Sequence, residues 1–203
     1  MSSLALPSFH EIEALHREYT PSDAAFELVF THCQVVSDIA MHLAEKSGVH
    51  VDTELVNVGC LLHDIGVYEV FAPDGVTIDT SRSIRHGVLG ADILRRCGFP
   101  EQLCRFASHH TGAGLTKRQI VERRLPLPPQ DFLAETLAEK LVMYADKFHS
   151  KSTPPVFNSH DFYTRYLASF GEEEAQNFVV LTAMFGKPDL DVFTSKYGQG
   201  LRT

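Results

Sequence analysis

Apolar residues recur three and four positions apart along most of this chain, the spacing of a buried helix face. The first such piece is SFHEIEALHREY, where Phe9, Ile12, Leu15 and Tyr19 share one side and His10 and His16 are expected on the surface. Thr20-Pro21-Ser22 reads as a break and an N-cap. From Asp23 to Lys46, the residues Phe26, Val29, Phe30, Cys33, Val36, Ile39, Ala40 and Leu43 predict one long helix, closed by Gly48. Asp52 or Thr53 caps the next, which carries Leu55, Val58, Leu61 and Leu62 into His63-Asp64-Ile65-Gly66. Gly66 is expected to take left-handed backbone and stop that helix.

Residues 67–83 read as a loop with a Pro-Asp-Gly turn, long enough to serve as a lid or the wall of a site. A helix is predicted from Ile84 to Cys97, stopped by Gly98. Another starts at Pro100, runs into Ser108-His109-His110 and stops at TGAG. Residues 116–124 read as a short helix and LPLPPQ as a connector. The run DFLAETLAEKLVMYADKFH predicts a helix from Asp131 to about Ser150. After Thr153-Pro154-Pro155, two or three helices fill 159–198, with Phe162, Tyr166, Leu167, Phe170, Phe178, Val179, Leu181, Phe185 and Phe193 as core. No segment alternates with period two, so no strand is expected. The predicted fold class is all-α: a single domain over 1–203, with a helical core at about 25–150 and a C-terminal helical extension at about 158–203.

Composition narrows the function. At 203 residues, 44% hydrophobic and 22% charged, the chain has ample material for a core. A net charge of −8 argues against a nucleic-acid polymer or an anionic membrane surface as partner, since both call for a basic stripe. A small anionic substrate is compatible if a metal supplies local positive charge. The sequence shows neither a charged-then-apolar leader nor a membrane-length apolar run, so no signal peptide and no span are expected. Cys33, Cys60, Cys97 and Cys104 have no CxxC spacing, and three lie in apolar helical patterns. Buried free thiols in a reducing compartment follow, and with them a cytoplasmic location. The eleven histidines are the compositional oddity.

Those histidines fall at helix ends. His63 and Asp64 end one predicted helix, His86 begins another, His110 ends a third, and Asp146 lies near the end of the last long one. His32 is the exception, mid-helix among apolar positions. Imidazole and carboxylate ligands of this kind suit first-row transition metals. Glycines beside them, as in HDIG, RHG and HHTGAG, let backbone and substrate approach closely. His42, His50, His149 and His160 have no partner motif and are expected at the surface; Asp38 reads as solvated helix face. Glu69 and Asp74, in the long loop, either contact substrate or are exposed.

In this order the residues resemble the HD superfamily of metal-dependent phosphohydrolases, whose pattern is H…HD…D on a bundle of helices. His32, His63, Asp64 and Asp146 match it, and the resemblance covers about residues 25–150. The segments RHGVLGA and HHTGAG are similar to the subset that adds two histidines and holds a second metal. That subset includes HD-GYP cyclic-dinucleotide phosphodiesterases and small hydrolases of dinucleoside polyphosphates. The GYP signature is absent, which disfavours a cyclic-dinucleotide role.

The resemblance implies two divalent transition-metal ions, iron or manganese favoured, with nickel, cobalt or zinc compatible. Asp64 would bridge them as the catalytic carboxylate, and a hydroxide held by the two ions would attack phosphorus in line. His32, His63 and Asp146 would complete one ion's shell, and His86 and His110 would hold the other. His110 is preferred over His109 because it abuts TGAG. Arg85, His109 and Lys147 are the expected substrate contacts. The expected function is hydrolysis of a small phosphate ester or nucleotide, with a homodimer compatible. Two other readings fit the same residues: a di-iron oxygenase like the inositol-oxygenase branch of this superfamily, and a nucleotide-binding sensor without turnover.

Overall fold

The computed structural model of the chain describes residues 5–203. Helix α1 (Phe9–Tyr19) starts at a capping box: Ser8 Oγ accepts from the Glu11 amide, and Glu11 accepts from the Ser8 amide. It buries Ile12, Leu15 and His16. The burial of His16 corrects the expectation of a surface residue. His16 follows Ile12 by one turn and so lies on the apolar face. Its Nε2–H donates to the Leu61 carbonyl (2.8 Å), and its Nδ1 accepts from the Tyr68 hydroxyl (2.9 Å). Both partners are distant in sequence, so spacing alone gives no sign that a buried imidazole here is satisfied. Burial pulls its pKa down to about 4.

Helix α2 (Asp23–Ser47) is capped by Ser22 and ends at Gly48, whose φ of 67° is left-handed. All eight apolar positions expected on its inner face are buried. Helix α3 (Thr53–Leu62) is capped by Asp52 and runs into His63 and Asp64. A 3-10 helix, Ile65–Val70, then continues the chain. Gly66 lies inside it, outside the set of left-handed glycines. Gly66 is therefore not the helix stop that the sequence suggested. A Cβ there would sit 2.1 Å from the His86 carbonyl and 2.2 Å from the Gly90 amide. Its glycine is needed so that the next helix can press against the HDIG segment.

That helix is α4 (His86–Arg96), which packs against α5 (Glu101–Ser108). Gly87 permits the contact, since a Cβ would lie 2.7 Å from the Ala107 carbonyl. A short α6 (Lys117–Glu122) follows. The helix expected over Asp131–Ser150 is shorter: α7 spans Leu137–Asp146. Ahead of it, Phe132 is instead tied to Leu115 by backbone hydrogen bonds of 3.1 and 2.8 Å. Thr136 and Glu139 then form a capping box that sets the true start.

After α7 the chain forms β1 (His149–Ser150), β2 (Val156–Asn158) and, at its other end, β3 (Gly200–Arg202). β1 and β2 are antiparallel, and β2 and β3 are parallel. These strands correct the strand-free expectation. They are too short to show alternation and owe their pairing to long-range contact. Between β2 and β3 lie α8 (His160–Ala168), α9 (Glu172–Phe185) and α10 (Leu190–Tyr197). The fold remains all-α in class, and one buried cluster runs from Ile12 to Phe193. Phe178 and Phe185 pack on Tyr144 of α7, whose hydroxyl donates to the Gly186 carbonyl at 2.7 Å. Leu167, Phe178, Leu181, Phe185 and Phe193 are core as expected, and Phe162 is half-buried. Tyr166, Phe170 and Val179 are exposed instead, because only one face of each short helix meets the bundle. Asp38, expected to be solvated, accepts from Lys196 (2.5 Å) and Tyr197 (2.6 Å) of α10.

Cys33, Cys60 and Cys104 are buried and Cys97 is exposed, all as free thiols. No helix among the described residues is long and apolar enough to cross a membrane.

Candidate metal centre

The six residues expected to be ligands converge in two groups: His32, His63, Asp64 and Asp146, and Asp64, His86 and His110. Within each group, one ligand atom per residue lies within 4.8 Å of the others. The six arrive from five segments. His32 projects from the middle of α2, and His63 and Asp64 follow α3. His86 opens α4, His110 follows α5, and Asp146 closes α7.

Asp64 belongs to both groups through different oxygens. Its Oδ2 lies 3.1 Å from His32 Nε2 and 3.4 Å from His63 Nε2. Its Oδ1 lies 3.4 Å from both His86 Nε2 and His110 Nε2. Asp146 Oδ1 closes the first group, 3.0 Å from His32 Nε2 and 3.5 Å from His63 Nε2.

The imidazole tautomers follow from the outer nitrogens. His63 Nδ1 donates to the Cys60 carbonyl (2.6 Å), His86 Nδ1 to that of Ser83 (2.5 Å) and His110 Nδ1 to that of Ala107 (2.7 Å). A carbonyl only accepts, so each Nδ1 carries a proton, and wherever the ring is neutral a bare Nε2 lone pair turns inward. Burial lowers the His86 pKa and takes that of His110 to about 3, so both are neutral at pH 7. Their two Nε2 atoms nevertheless face each other at 2.8 Å. Asp64 Oδ1, beside them, is buried without a hydrogen-bond partner. Two opposed lone pairs and an orphaned carboxylate oxygen are relieved together by a cation. The donor set therefore fits divalent transition metals.

The carboxylates are poised for the same task. Burial alone would raise the Asp64 pKa, but Lys151 and His63 hold it well below the usual carboxylate range. Asp146 is held low in the same way by Lys147. Burial opposes charge on His63, yet Asp64 outweighs it and keeps this pKa well above its ordinary value.

The expected substrate contacts are distributed differently. Lys147 is buried, its Nζ donating to Asp146 Oδ2 (2.6 Å) and the His110 carbonyl (2.8 Å), so it braces two of the expected ligands. Arg85 is exposed and borders a separate groove with Leu89, Asp92 and Pro126. His109 pairs with Ser108 Oγ (2.6 Å) and Arg105 (3.2 Å) and packs on Phe132. Three residues at the centre escaped the sequence reading. Lys151 Nζ donates to Asp64 Oδ2. His149, expected at the surface, is buried with its Nδ1 2.8 Å from His32 Nδ1. Gln199 accepts from His149 Nε2 at 2.7 Å. Lys151 and His149 lie in FHSKS, a polar run that looks like exposed loop until β1 turns it inward.

Above the centre opens a cavity of about 470 Å³, bordered by Asp146, Lys151, Arg202, Phe162, Tyr163 and Tyr166 among others. Ile78, Thr80 and Ser83 form another side, so the long loop is a wall of the site. Asp74 is a turn residue, accepting from the Val76 and Thr77 amides at 2.9 Å. Glu69 is exposed.

The HD domain family matches residues 29–151. The chain is 46% identical over 123 residues to protein MJ0778 of Methanocaldococcus jannaschii, covering 59% of this chain and 65% of that one. It is 33% identical over 129 residues to the tRNA (cytidine(56)-2'-O)-methyltransferase of Picrophilus torridus, covering 64% of this chain but 33% of that enzyme. The chain thus spans less than two thirds of these curated relatives. Among solved structures, the HD domain of the L. monocytogenes phosphodiesterase PgpH superposes with a TM-score of 0.54 at 16% identity, covering 93% of this chain and 99% of that one. The same domain bound to cyclic-di-AMP gives 0.53 at 17% identity, covering 96% and 100%. At such identity the likeness is one of fold. From the match over 29–151 and the ordered His and Asp residues within it, the chain belongs to the HD domain family.

Proposed function

We propose that this chain is a metal-dependent phosphohydrolase that cleaves a small phosphate ester, nucleotides being the favoured class. The observation that carries the reading is Asp64. Its two oxygens face separate histidine groups, as a carboxylate bridging two ions would. His32, His63 and Asp146 would complete one ion's shell, and His86 and His110 the other's. Two divalent ions held there would supply a water nucleophile at neutral pH and neutralise phosphoryl charge.

The chain's own groups do the rest. Lys151 keeps its proton despite burial, because Asp64 and Asp146 raise its pKa. It and Arg202 border the mouth, where they would orient the phosphoryl oxygens and offset charge developing in the transition state. This assigns to Lys151 and Arg202 the contacts that sequence alone assigned to Arg85 and Lys147. The rings of Phe162 and Tyr166 are stacked 6.4 Å apart and nearly parallel, at 7°. A base or other flat leaving group would rest against them. The family and the shared fold with a phosphodiesterase domain support hydrolysis.

The test loads the untagged protein with manganese or iron and measures metal content and phosphate release. Nucleoside monophosphates and an aryl phosphate are the substrates. About two ions per chain and turnover are expected, with Asp64→Asn losing both ions and all activity. A stably two-metal protein that releases no phosphate from either substrate class, with either metal, would refute the hydrolase reading.

A further inference from the structure

The ligand histidines solve one problem in two ways. To present Nε2 to a metal, each needs an acceptor for its Nδ1 proton. His63, His86 and His110 stand at helix ends and find it within their own segment, three residues back. His32 stands in the middle of α2, where the helix's carbonyls are already engaged by helix hydrogen bonds. Its Nδ1 has to look elsewhere, and it meets His149 Nδ1 at 2.8 Å with the rings stacked 27° apart. Both residues are buried.

Two facing Nδ1 atoms share a single proton, so which ring holds it is decided one step further out. His149 Nε2 lies 2.7 Å from Gln199 Oε1. An amide oxygen accepts, so His149 is protonated at Nε2 and bare at Nδ1. His32 is then protonated at Nδ1 and bare at Nε2, the face turned toward Asp64 and Asp146. The reverse setting would place a hydrogen on His32 Nε2, where the metal belongs.

We propose that His149 and Gln199 are positioning residues that fix the metal-binding tautomer of His32. This inference rests on the metal-centre reading above and gives the C-terminal extension a role. Gln199 lies outside the matched family region of 29–151. It precedes β3, whose parallel pairing to β2 brings it beside β1 and His149. The extension thus reaches the one ligand that cannot orient itself. Lost outer partners of this kind cost metal affinity about 10–100-fold.

The experiment compares His149→Asn with His149→Leu in the full chain. The two side chains are alike in size, and only asparagine keeps an acceptor near the position of Nδ1. Zinc affinity is measured by chelator competition, and ring tautomers by nitrogen-15 NMR. His149→Leu should weaken one of the two ions about 10–100-fold and leave the other unchanged, while His149→Asn keeps wild-type affinity. In the wild type, His149 Nδ1 should give the shift of an unprotonated nitrogen. Equal behaviour of the two variants, whether both bind or both fail, would overturn the proposal, as would a protonated His149 Nδ1. The NMR readout needs neither variant nor turnover. Wild-type protein that takes up no zinc would instead sink the metal-centre reading.

Discussion

Replacing Gly66 by alanine separates two explanations of the HDIG glycine. If it served as a left-handed helix stop, alanine would cost about 1 kcal/mol through backbone strain. In the structure its backbone is not left-handed, so alanine brings no such strain. What it brings is a Cβ 2.1 Å from the His86 carbonyl oxygen, 2.2 Å from the Gly90 amide and 2.7 Å from Gly90 Cα. These are backbone atoms of α4, and no rotamer change relieves them. Ordinary contacts lie at about 3.5–4.0 Å, so α4 has to retreat by more than about 1 Å. That places the cost at the upper end for overpacking, about 3 kcal/mol. With a urea slope of about 2–3 kcal/mol/M for a chain of this size, the unfolding midpoint should fall by about 1 M or more. His86 is the first residue of α4 and moves with it, so the variant should also lose the ion proposed at His86 and His110. Urea unfolding and metal analysis test both parts. A midpoint lower by only about 0.4 M, with metal content unchanged, would refute the close-packing argument.

Two further predictions concern charge. His16 has a pKa of about 4 when folded against 6.5 for the free side chain, so the unfolded chain binds more protons between those values. Stability should therefore fall as pH drops from about 6.5 to about 4, with a loss of about 2 kcal/mol from this residue by pH 5. His16→Gln can still bond Leu61 and Tyr68, and should show a correspondingly smaller loss between pH 7 and pH 5 in urea unfolding; equal losses would exclude His16 as the source. At the mouth, Lys151→Ala should lower kcat/KM about 10²–10³-fold with metal content intact, whereas Arg85→Ala should leave kcat/KM unchanged. The reverse ranking in steady-state assays would return the substrate contact to Arg85.

The inner face of α2, the capping residues Ser22 and Asp52, and the order His32, His63-Asp64, His86, His110, Asp146 were all legible in the sequence. The order of the His and Asp residues was read through its resemblance to the HD pattern, while the face and the caps depend on local chemistry, helical spacing or a side chain capping its own helix. The same holds for His63, His86 and His110, whose Nδ1 partners lie three residues away.

What only the tertiary structure decided involves partners far apart in sequence. His16 and His149 looked alike as unpartnered histidines, yet one is a satisfied core residue and the other backs His32, because Leu61, Tyr68 and Gln199 arrive from elsewhere. Gly66 looked like a stop and proved to be a point of close approach, since α4 lies against it only after folding. Lys147 and Lys151 are four residues apart in one polar run; the turn into β1 sends the first to brace Asp146 and the second to Asp64 at the mouth of the site. A sequence records which groups are available for such contacts. Which of them meet is set by the packing of helices whose mutual approach no local pattern encodes.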